Sequence, residues 1–389
     1  MKKMILAMTA VALATACGIP AQENWAVRMA DAEMRRAPQA WQLDFQQKLK
    51  WDYTFGLEGL AFIRLAEATG DARYADYIEA YADTMINEQG EIRTYKTENY
   101  NLDHLNQGKM LFDLYATTHK EKYRKALERL RAQLATQPRT SDGGFWHKQR
   151  YPHQRWLDGL YMGAPFYAQC IGFFDEPDSL YDDVVDQFTT VAKHTYDPAT
   201  GLFRHAWDES RAQRWADSAT GRSPYAWGRA MGWFAMALVD ALDAIPAGHP
   251  RRSELTAILA TVAEGVARYQ DPASGVWFQI LDLGGRERNY LEATASCMFA
   301  YALFKAVANG YLDPSYRAVA DRAFDGILKT FVETGDDGLL NLTHCCAVAG
   351  LGGEPYRDGS YDYYMSEPVR SNDPKGVGPF IMAALWRER

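Results

Sequence analysis

Two kinds of apolar pattern alternate along this chain. In the first, apolar residues recur every three or four positions: Tyr74, Tyr77, Tyr81 and Met85; Tyr123, Leu127, Leu130 and Leu134; Leu255, Ile258, Val262 and Val266; Val319, Ala323, Ile327 and Phe331. That spacing marks one face of an α-helix, and segments 25–36 and 180–194 carry it more weakly. In the second kind, at 56–68, 103–118, 157–172, 226–242, 291–308 and 377–387, apolar residues run nearly all round. A helix of that kind has to be covered on every side. Six of each in alternation predict an all-α fold, an (α/α)6 barrel with six buried inner helices inside six amphipathic outer ones.

The inner segments carry a faint repeat. Met162-Gly163-Ala164-Pro165-Phe166-Tyr167-Ala168 matches Met231-Gly232-Trp233-Phe234-Ala235-Met236-Ala237 and Val377-Gly378-Pro379-Phe380-Ile381-Met382-Ala383, with Ser296-Cys297-Met298-Phe299-Ala300-Tyr301-Ala302 as a fourth copy. The small residue allows close approach where inner helices converge. Pro165 and Pro379 are expected in first helical turns, where a missing N–H costs nothing. Short Gly-aromatic stretches at 143–147, 201–205 and 275–279 read as strands or hairpins crowding one mouth of the barrel. No linker divides the chain, so residues 23–389 are expected to form one catalytic domain.

Residues 1–22 read as a secretory signal, with basic Lys2 and Lys3 before an apolar stretch too short to span a bilayer. Cleavage before Cys17, giving a lipid anchor there, and plain cleavage after Ala21 are both open. Either way the expected location is across the inner membrane, periplasmic or lipid-anchored. Nothing later is apolar enough to be a transmembrane helix. The net charge of −8 becomes −10 without Lys2 and Lys3, because 40 Lys and Arg then face 50 Asp and Glu. With no basic run to track phosphates, nucleic acid is not an expected partner. Cys170 and Cys297 fall inside apolar helices as core residues, and His344-Cys345-Cys346 lacks metal-ligand spacing.

Parallel inner helices would bring their N-terminal ends to one mouth. Asp103, Asp158 and Arg229 would meet there with Trp146, His147, Lys148 and His205 from the loops. Capping a helix is the plain alternative for each aspartate. The setting of Asp158, after Arg155-Trp156 and before Gly159, favours chemistry. Trp and Tyr number 11 and 23, and such rings stack on sugar C–H faces as readily as they fill a core. Trp227 and Trp233 are six apart, which places them on different sides of a regular helix, so Trp227 is expected to precede it. Arg229 near the start of an apolar helix is either a binding residue or half of a buried ion pair.

In combination, Asn101-Leu102-Asp103, Gly144-Phe145-Trp146-His147, Trp156-Leu157-Asp158-Gly159-Leu160-Tyr161-Met162 and Trp227-Gly228-Arg229-Ala230-Met231-Gly232-Trp233 resemble glycoside hydrolase family 105, the unsaturated rhamnogalacturonyl hydrolases. More distantly the chain is similar to the unsaturated glucuronyl hydrolases of family 88. The likeness runs from about Trp51 to the C-terminus and implies the (α/α)6 barrel. It implies a substrate too: an oligosaccharide whose non-reducing end is a 4,5-unsaturated uronic acid left by a lyase, galacturonyl on rhamnose first, with unsaturated glucuronyl residues on ulvan- or arabinogalactan-type glycans as the alternative. By resemblance Asp158 protonates C4 and then activates the water that adds at C5, so one carboxyl is acid and then base. Asp103 would position sugar hydroxyls and support the protonated acid. Trp227 and Trp233 resemble stacking residues, His147, His205 and Arg229 polar contacts to the sugar acid, Trp156 a wall, and Tyr53 a looser match. No metal or organic cofactor is implied.

Three other readings stay open at this level. A conventional inverting glycosidase would use Asp103 with a second carboxylate such as Glu292. A lyase would create the double bond, and a surface lipoprotein would only bind glycans. The tyrosines of 351–375, with Tyr356, Arg357, Tyr361, Tyr363 and Tyr364, are either a platform for the next sugar or packing.

Overall fold

A computed structural model describes residues 24–389. Residues 1–22, expected to be a secretory signal, and with them Cys17, lie outside the described residues. Twelve long helices and one short one follow in order: α1 (Trp25–Arg36), α2 (Tyr53–Thr69), α3 (Arg73–Met85), α4 (Gly108–Thr118), α5 (Glu121–Thr136), α6 (Leu157–Phe173), α7 (Leu180–Thr195), α8 (Gly228–Ala244), α9 (Arg252–Arg268), α10 (Ala293–Ala308), α11 (Tyr316–Thr330), the short α12 (Tyr361–Ser366) and α13 (Pro374–Arg387). The six apolar segments are α2, α4, α6, α8, α10 and α13, and each packs on the next until α13 returns to α2. The amphipathic helices lie outside. Five of them follow and cover the inner helix before them, while α1 covers α13, so the two ends of the chain close the sixth pair. One apolar cluster draws on every long helix, from Ala26 to Leu385.

The repeated small residue sits where inner helices touch. A Cβ on Gly232 would lie 2.8 Å from Met298 Cβ on α10, and one on Gly378 would lie 3.2 Å from Leu57 Cγ on α2. On α6, a Cβ on Gly163 would meet Leu102 at 3.3 Å. The repeat is therefore the contact row of the inner ring.

The expected helix 103–118 is broken in two. Residues Leu102–Leu105 form a separate 3-10 turn, and α4 begins only at Gly108. The cause lies on α2: Gly56 brings its backbone so close that a Cβ there would be 2.6 Å from Gln107 Cα, and Asn106 Nδ2 donates to Tyr53 O at 2.8 Å. Asp103 thus stands on a turn held against α2.

The prolines also depart from expectation. Pro165 and Pro379 lie inside α6 and α13, and Pro374 takes the first-turn position instead. An interior proline removes one N–H···O bond to the carbonyl four residues back, here Tyr161 O. The structure replaces that donor with the ammonium of Lys109 on α4, 3.2 Å away. Lys109 is buried, lies 3.3 Å from the Tyr161 ring centroid, and has its pKa pushed down to about 7 by burial.

Short antiparallel pairs, all in connections from an outer helix to the next inner one, crowd the mouth where the inner helices begin: β1 (Gln154–Trp156) with β4 (Ala206–Asp208), β2 (Tyr196–Asp197) with β3 (Leu202–Phe203), β5 (Val332–Thr334) with β6 (Leu340–Leu342), and β7 (Cys345–Cys346) with β8 (Val369–Arg370). Of the three Gly-aromatic stretches, 201–205 contains β3, whereas Phe145 and Phe278 make only isolated bridges. Among the described residues no helix is long and apolar enough to cross a membrane.

Two stability predictions follow from this packing. Gly232→Ala should cost about 1–3 kcal/mol in urea unfolding, because Met298 Cβ is tied to its own backbone and has no rotamer to retreat to. A wild-type midpoint would mean that α8 and α10 are not in close contact. Glu58 on α2 is fully buried with neither carboxyl oxygen hydrogen-bonded, and burial, then Glu33, Asp373 and Asp44, raise its pKa well above the usual range. The folded state then holds a proton that the unfolded state releases, so stability falls as pH rises past the ordinary carboxyl range. Glu58→Gln should melt higher than wild type at pH 8, with the gap closing toward pH 4. An equal gap at both values would contradict a protonated Glu58.

Candidate active site

A cavity of about 330 Å³ opens at the mouth where the inner helices begin. Its lining includes Tyr53 at the start of α2, Asp103 on the 3-10 turn, His147 and Lys148 from the loop after α5, Trp156 and Asp158 at the start of α6, and Trp227, Arg229 and Trp233 at the start of α8. Eight of the nine site residues expected from sequence share this lining. His205 is the ninth. It is fully buried and sits behind the cavity, with Nε2 3.3 Å from Asp158 Oδ2 and Nδ1 2.7 Å from the Tyr364 hydroxyl of α12. The reading of His205 as a direct sugar contact gives way to that of a support for Asp158.

Neither aspartate is a helix cap. Trp156 is the N-cap of α6, Asp158 lies within the first turn, and Asn101 caps the turn that carries Asp103. Capping falls to other acids: Asp52 on α2, Glu292 on α10 and Asp373 on α13. Glu292 is fully buried and accepts from the backbone N–H groups of Thr294, Ala295 and Cys346 at 3.1, 2.7 and 2.9 Å. It is absent from the cavity lining, which removes the second carboxylate that the inverting-glycosidase reading named.

The three cavity carboxyls differ in their partners. Asp52 accepts from Tyr53 N at 2.8 Å and pairs with Lys50 at 2.7 Å. Asp103 is ion-paired with Lys148 and lies 3.4 Å from His147 Nε2. Burial pushes the Asp103 pKa up, but Lys148, His147 and His104 outweigh it and hold the group below the ordinary carboxylate value. Lys148 also balances the charge of Asp103, so Asp103 acts on its neighbours less than a bare carboxylate would. Asp158 accepts no hydrogen bond from any described residue, and its Oδ2 is buried.

Aromatic rings pack together around the start of α6, beside this acid. Trp156 stacks on His147 with centroids 4.8 Å apart and planes 5° apart, and meets His205 edge-on at 5.4 Å. Gly159 makes the room: a Cβ there would be 2.6 Å from His147 Nδ1. Burial lowers the pKa of His147 to about 4, so it is neutral at neutral pH and is a hydrogen-bonding group there rather than a cation.

The cation is Arg229. Helix α8 starts at Gly228 with Trp227 as its N-cap, so both tryptophans reach the cavity despite their spacing of six. Arg229 is buried, lies 4.6 Å from the Trp227 ring centroid, donates to the Cys346 carbonyl, and leaves Nε without a partner. No described carboxylate pairs with it within 4 Å, and its charge is held in place by a carbonyl and by more distant acids. A buried guanidinium in that state attracts an anionic group of a ligand.

The profile of Glycosyl Hydrolase Family 88 matches residues 25–389. The chain belongs to glycosyl hydrolase family 88. A solved family 105 glycoside hydrolase from C. acetobutylicum superposes on this family 88 chain with a TM-score of 0.90 at 46% identity, covering 94% of this chain and 99% of that one. Protein Atu3128 of Agrobacterium fabrum is 44% identical over 231 residues, 57% of this chain and 96% of its own length. The unsaturated rhamnogalacturonyl hydrolase YesR of Bacillus subtilis is 29% identical over 285 residues, 71% of this chain and 77% of YesR. The helical barrel and the family resemblance read from the motifs both hold.

Sequence reasoning missed several contributors to the family 88 cavity. Tyr151 stacks on Trp156 at 5.1 Å and, with Arg150, lines the cavity from the tip of the hairpin before β1. A basic–aromatic pair between two recognisable motifs was the available signal. The tyrosines of 351–375 divide: Tyr364 is buried behind His205, Tyr363 accepts from Gly350 N at 2.8 Å, and Tyr356 stays half-buried at the rim of a neighbouring cleft.

The state of His147 is directly measurable. Imidazole NMR should show it titrating near pH 4, and Lys148→Met should move that midpoint upward, because a repelling cation is removed and Asp103 is left bare. A midpoint at the ordinary histidine value in wild type would contradict its burial between Trp156 and Gly159.

Proposed function

We propose that this glycosidase removes a terminal 4,5-unsaturated uronic acid, galacturonyl on rhamnose first of all, from lyase-generated oligosaccharides by hydrating the vinyl ether. One observation carries the reading: of the three carboxyls lining the cavity, only Asp158 is free of hydrogen-bond and lysine partners. A proton carrier needs that freedom, since a carboxyl already accepting a cation's hydrogen bonds is held as the anion. Family 88 membership and the likeness to YesR support the same substrate class.

The chemistry then balances around one acid. Asp158 gives its proton to C4, and the C4=C5 electron pair forms the new C–H bond. Positive charge develops at C5 and is shared with the ring oxygen. Water adds at C5 and returns its proton to Asp158. The hemiketal opens at the bond between C5 and the ring oxygen, leaving a ketone at C5 and a hemiacetal at C1 that releases the aglycone alcohol. Arg229 takes the uronate carboxylate, Trp227 and Trp233 face the ring, and Tyr53 closes the side next to Trp233, 6.2 Å away. Asp103, held anionic by Lys148, accepts sugar hydroxyls. His147 adds a neutral contact, and His205 steers Asp158 from behind. Export across the inner membrane, ending in the periplasm or at a lipid anchor on Cys17, belongs to the same proposal.

The test follows the ultraviolet absorbance of the conjugated uronate in lyase-digested rhamnogalacturonan. Wild type should remove it, and Asp158→Asn should be slower by about a thousandfold or more with KM little changed, because only the proton is lost. Normal turnover by Asp158→Asn would sink the mechanism. No loss of absorbance on pectic, ulvan and glycosaminoglycan digests would sink the substrate class.

A further inference from the structure

The end of the barrel opposite the mouth holds a further cavity, of about 430 Å³. All six inner helices line it: Arg64 comes from α2, Lys109 from α4, Gln169 from α6, Asp240 from α8, Lys305 from α10 and Met382 from α13. Apart from Lys109, these residues lie in the second halves of their helices, whereas the mouth is built at the helix starts. The two cavities share no lining residue. Tyr161 stands between them: its ring packs 4.8 Å from Trp233, which lines the mouth, and 3.3 Å from Lys109 Nζ, which lines the base.

The charges inside this base cavity cancel. Lys305 Nζ bridges Asp240 and Asp243, 2.6 Å from an oxygen of each. The buried Lys109 adds a second cation, so two lysines stand against two aspartates. At the rim Arg64 pairs with Glu67 at 2.8 Å and with Asp113 at 3.0 Å, and the exposed Arg389 lies 4.3 Å from the Trp386 ring centroid. With the inner charges summing to zero, the cavity has no net charge with which to draw in an ion.

Hydrogen-bonding capacity is what remains. The Lys109 ammonium carries three N–H groups and donates to one oxygen, Tyr161 O at 3.2 Å. Asp240 receives Tyr301 and Lys305 on the same oxygen, Oδ1, at 2.7 and 2.6 Å, so Oδ2 keeps its capacity. Gln169 Oε1 is buried and accepts from no described residue. Leaving such groups unmet is costly. Beside this donor and these two acceptors stand the apolar Leu60, Met382 and Leu385 and the half-buried indole of Trp386. The combination matches a molecule whose hydroxyls both donate and accept and whose C–H face lies against a ring. The volume falls within the roughly 300–1,000 Å³ range of ligand pockets. We propose that the base of the barrel is a second binding site, for a neutral polyhydroxylated molecule the size of one or two sugar rings, with Lys109, Gln169 and Asp240 bonding its hydroxyls and Trp386 its apolar face. This site stands apart from the hydrolase reading, since neither Asp158 nor a uronate enters it.

The experiment titrates L-rhamnose, D-galactose and D-glucose into the protein by calorimetry, with D-galacturonate as the anionic comparison. Arg229→Ala, Gln169→Leu and Trp386→Leu are titrated beside wild type. At least one neutral sugar should bind saturably, one per chain. Its Kd should stay within about twofold in Arg229→Ala and rise about tenfold in Gln169→Leu and in Trp386→Leu, with their melting temperatures as in wild type. Absence of saturable binding by all three neutral sugars would overturn the site. So would binding that is lost in Arg229→Ala and kept in both base variants, because the sugar would then sit in the mouth. Galacturonate binding that exceeds the neutral sugars in Arg229→Ala and falls in the base variants would overturn the neutral ligand class.

Discussion

Helices that are apolar on every side have nowhere to go but between other helices, and this chain has six of them. The inner ring that results fixes everything else. Because an outer helix runs back between each inner helix and the next, all six inner helices point the same way and their N-terminal ends meet at one mouth. Loops preceding those ends bring His147, His205 and Trp227 to the mouth, and the first turns bring Asp158 and Arg229. The small residues that let the helices touch, such as Gly232 against Met298, draw the inner ring together beneath that mouth.

Within the mouth, the division of labour is electrostatic. Three buried or half-buried acids face one small volume, and their different partners give them different work. Asp52 is spent on a helix end and Asp103 on Lys148, while Asp158 is left with rings and an imidazole around it. Opposite stands Arg229, whose charge no close carboxylate cancels. On the proposed function an anionic sugar completes this arrangement, which otherwise leaves a desolvated cation underused. The helix under the acid is supported in the same spirit: the hydrogen bond lost at Pro165 is replaced by the Lys109 ammonium, and Tyr161, on the turn after Asp158, packs 4.8 Å from Trp233.

What the sequence made legible was local. The alternation of stripe and all-round patterns is a property of neighbouring residues, and it located the twelve long helices. The spacing of six between Trp227 and Trp233 correctly put one ring before the helix and one inside it. What escaped depended on distant partners. The break at Asn106–Gln107 is caused by the backbone around Gly56, and the tolerance of Pro165 by a lysine 56 residues earlier. His205 lies behind Asp158 because Tyr364, on a six-residue helix that no periodicity announced, takes its other nitrogen. Glu292 looked like a spare acid in sequence, yet three backbone N–H groups from two segments consume it.

The central claim is that a single carboxyl delivers a proton to carbon before any bond to the aglycone breaks. Turnover in heavy water, read early by NMR of the released sugar, tests it most directly. A fixed acid on one side of the ring should place one deuterium on C4, on one face only, with the double bond gone in the first product formed. Release of a uronate that still carries its C4=C5 bond and an undeuterated C4 would mean that attack begins at the anomeric carbon, and would contradict the assignment of Asp158.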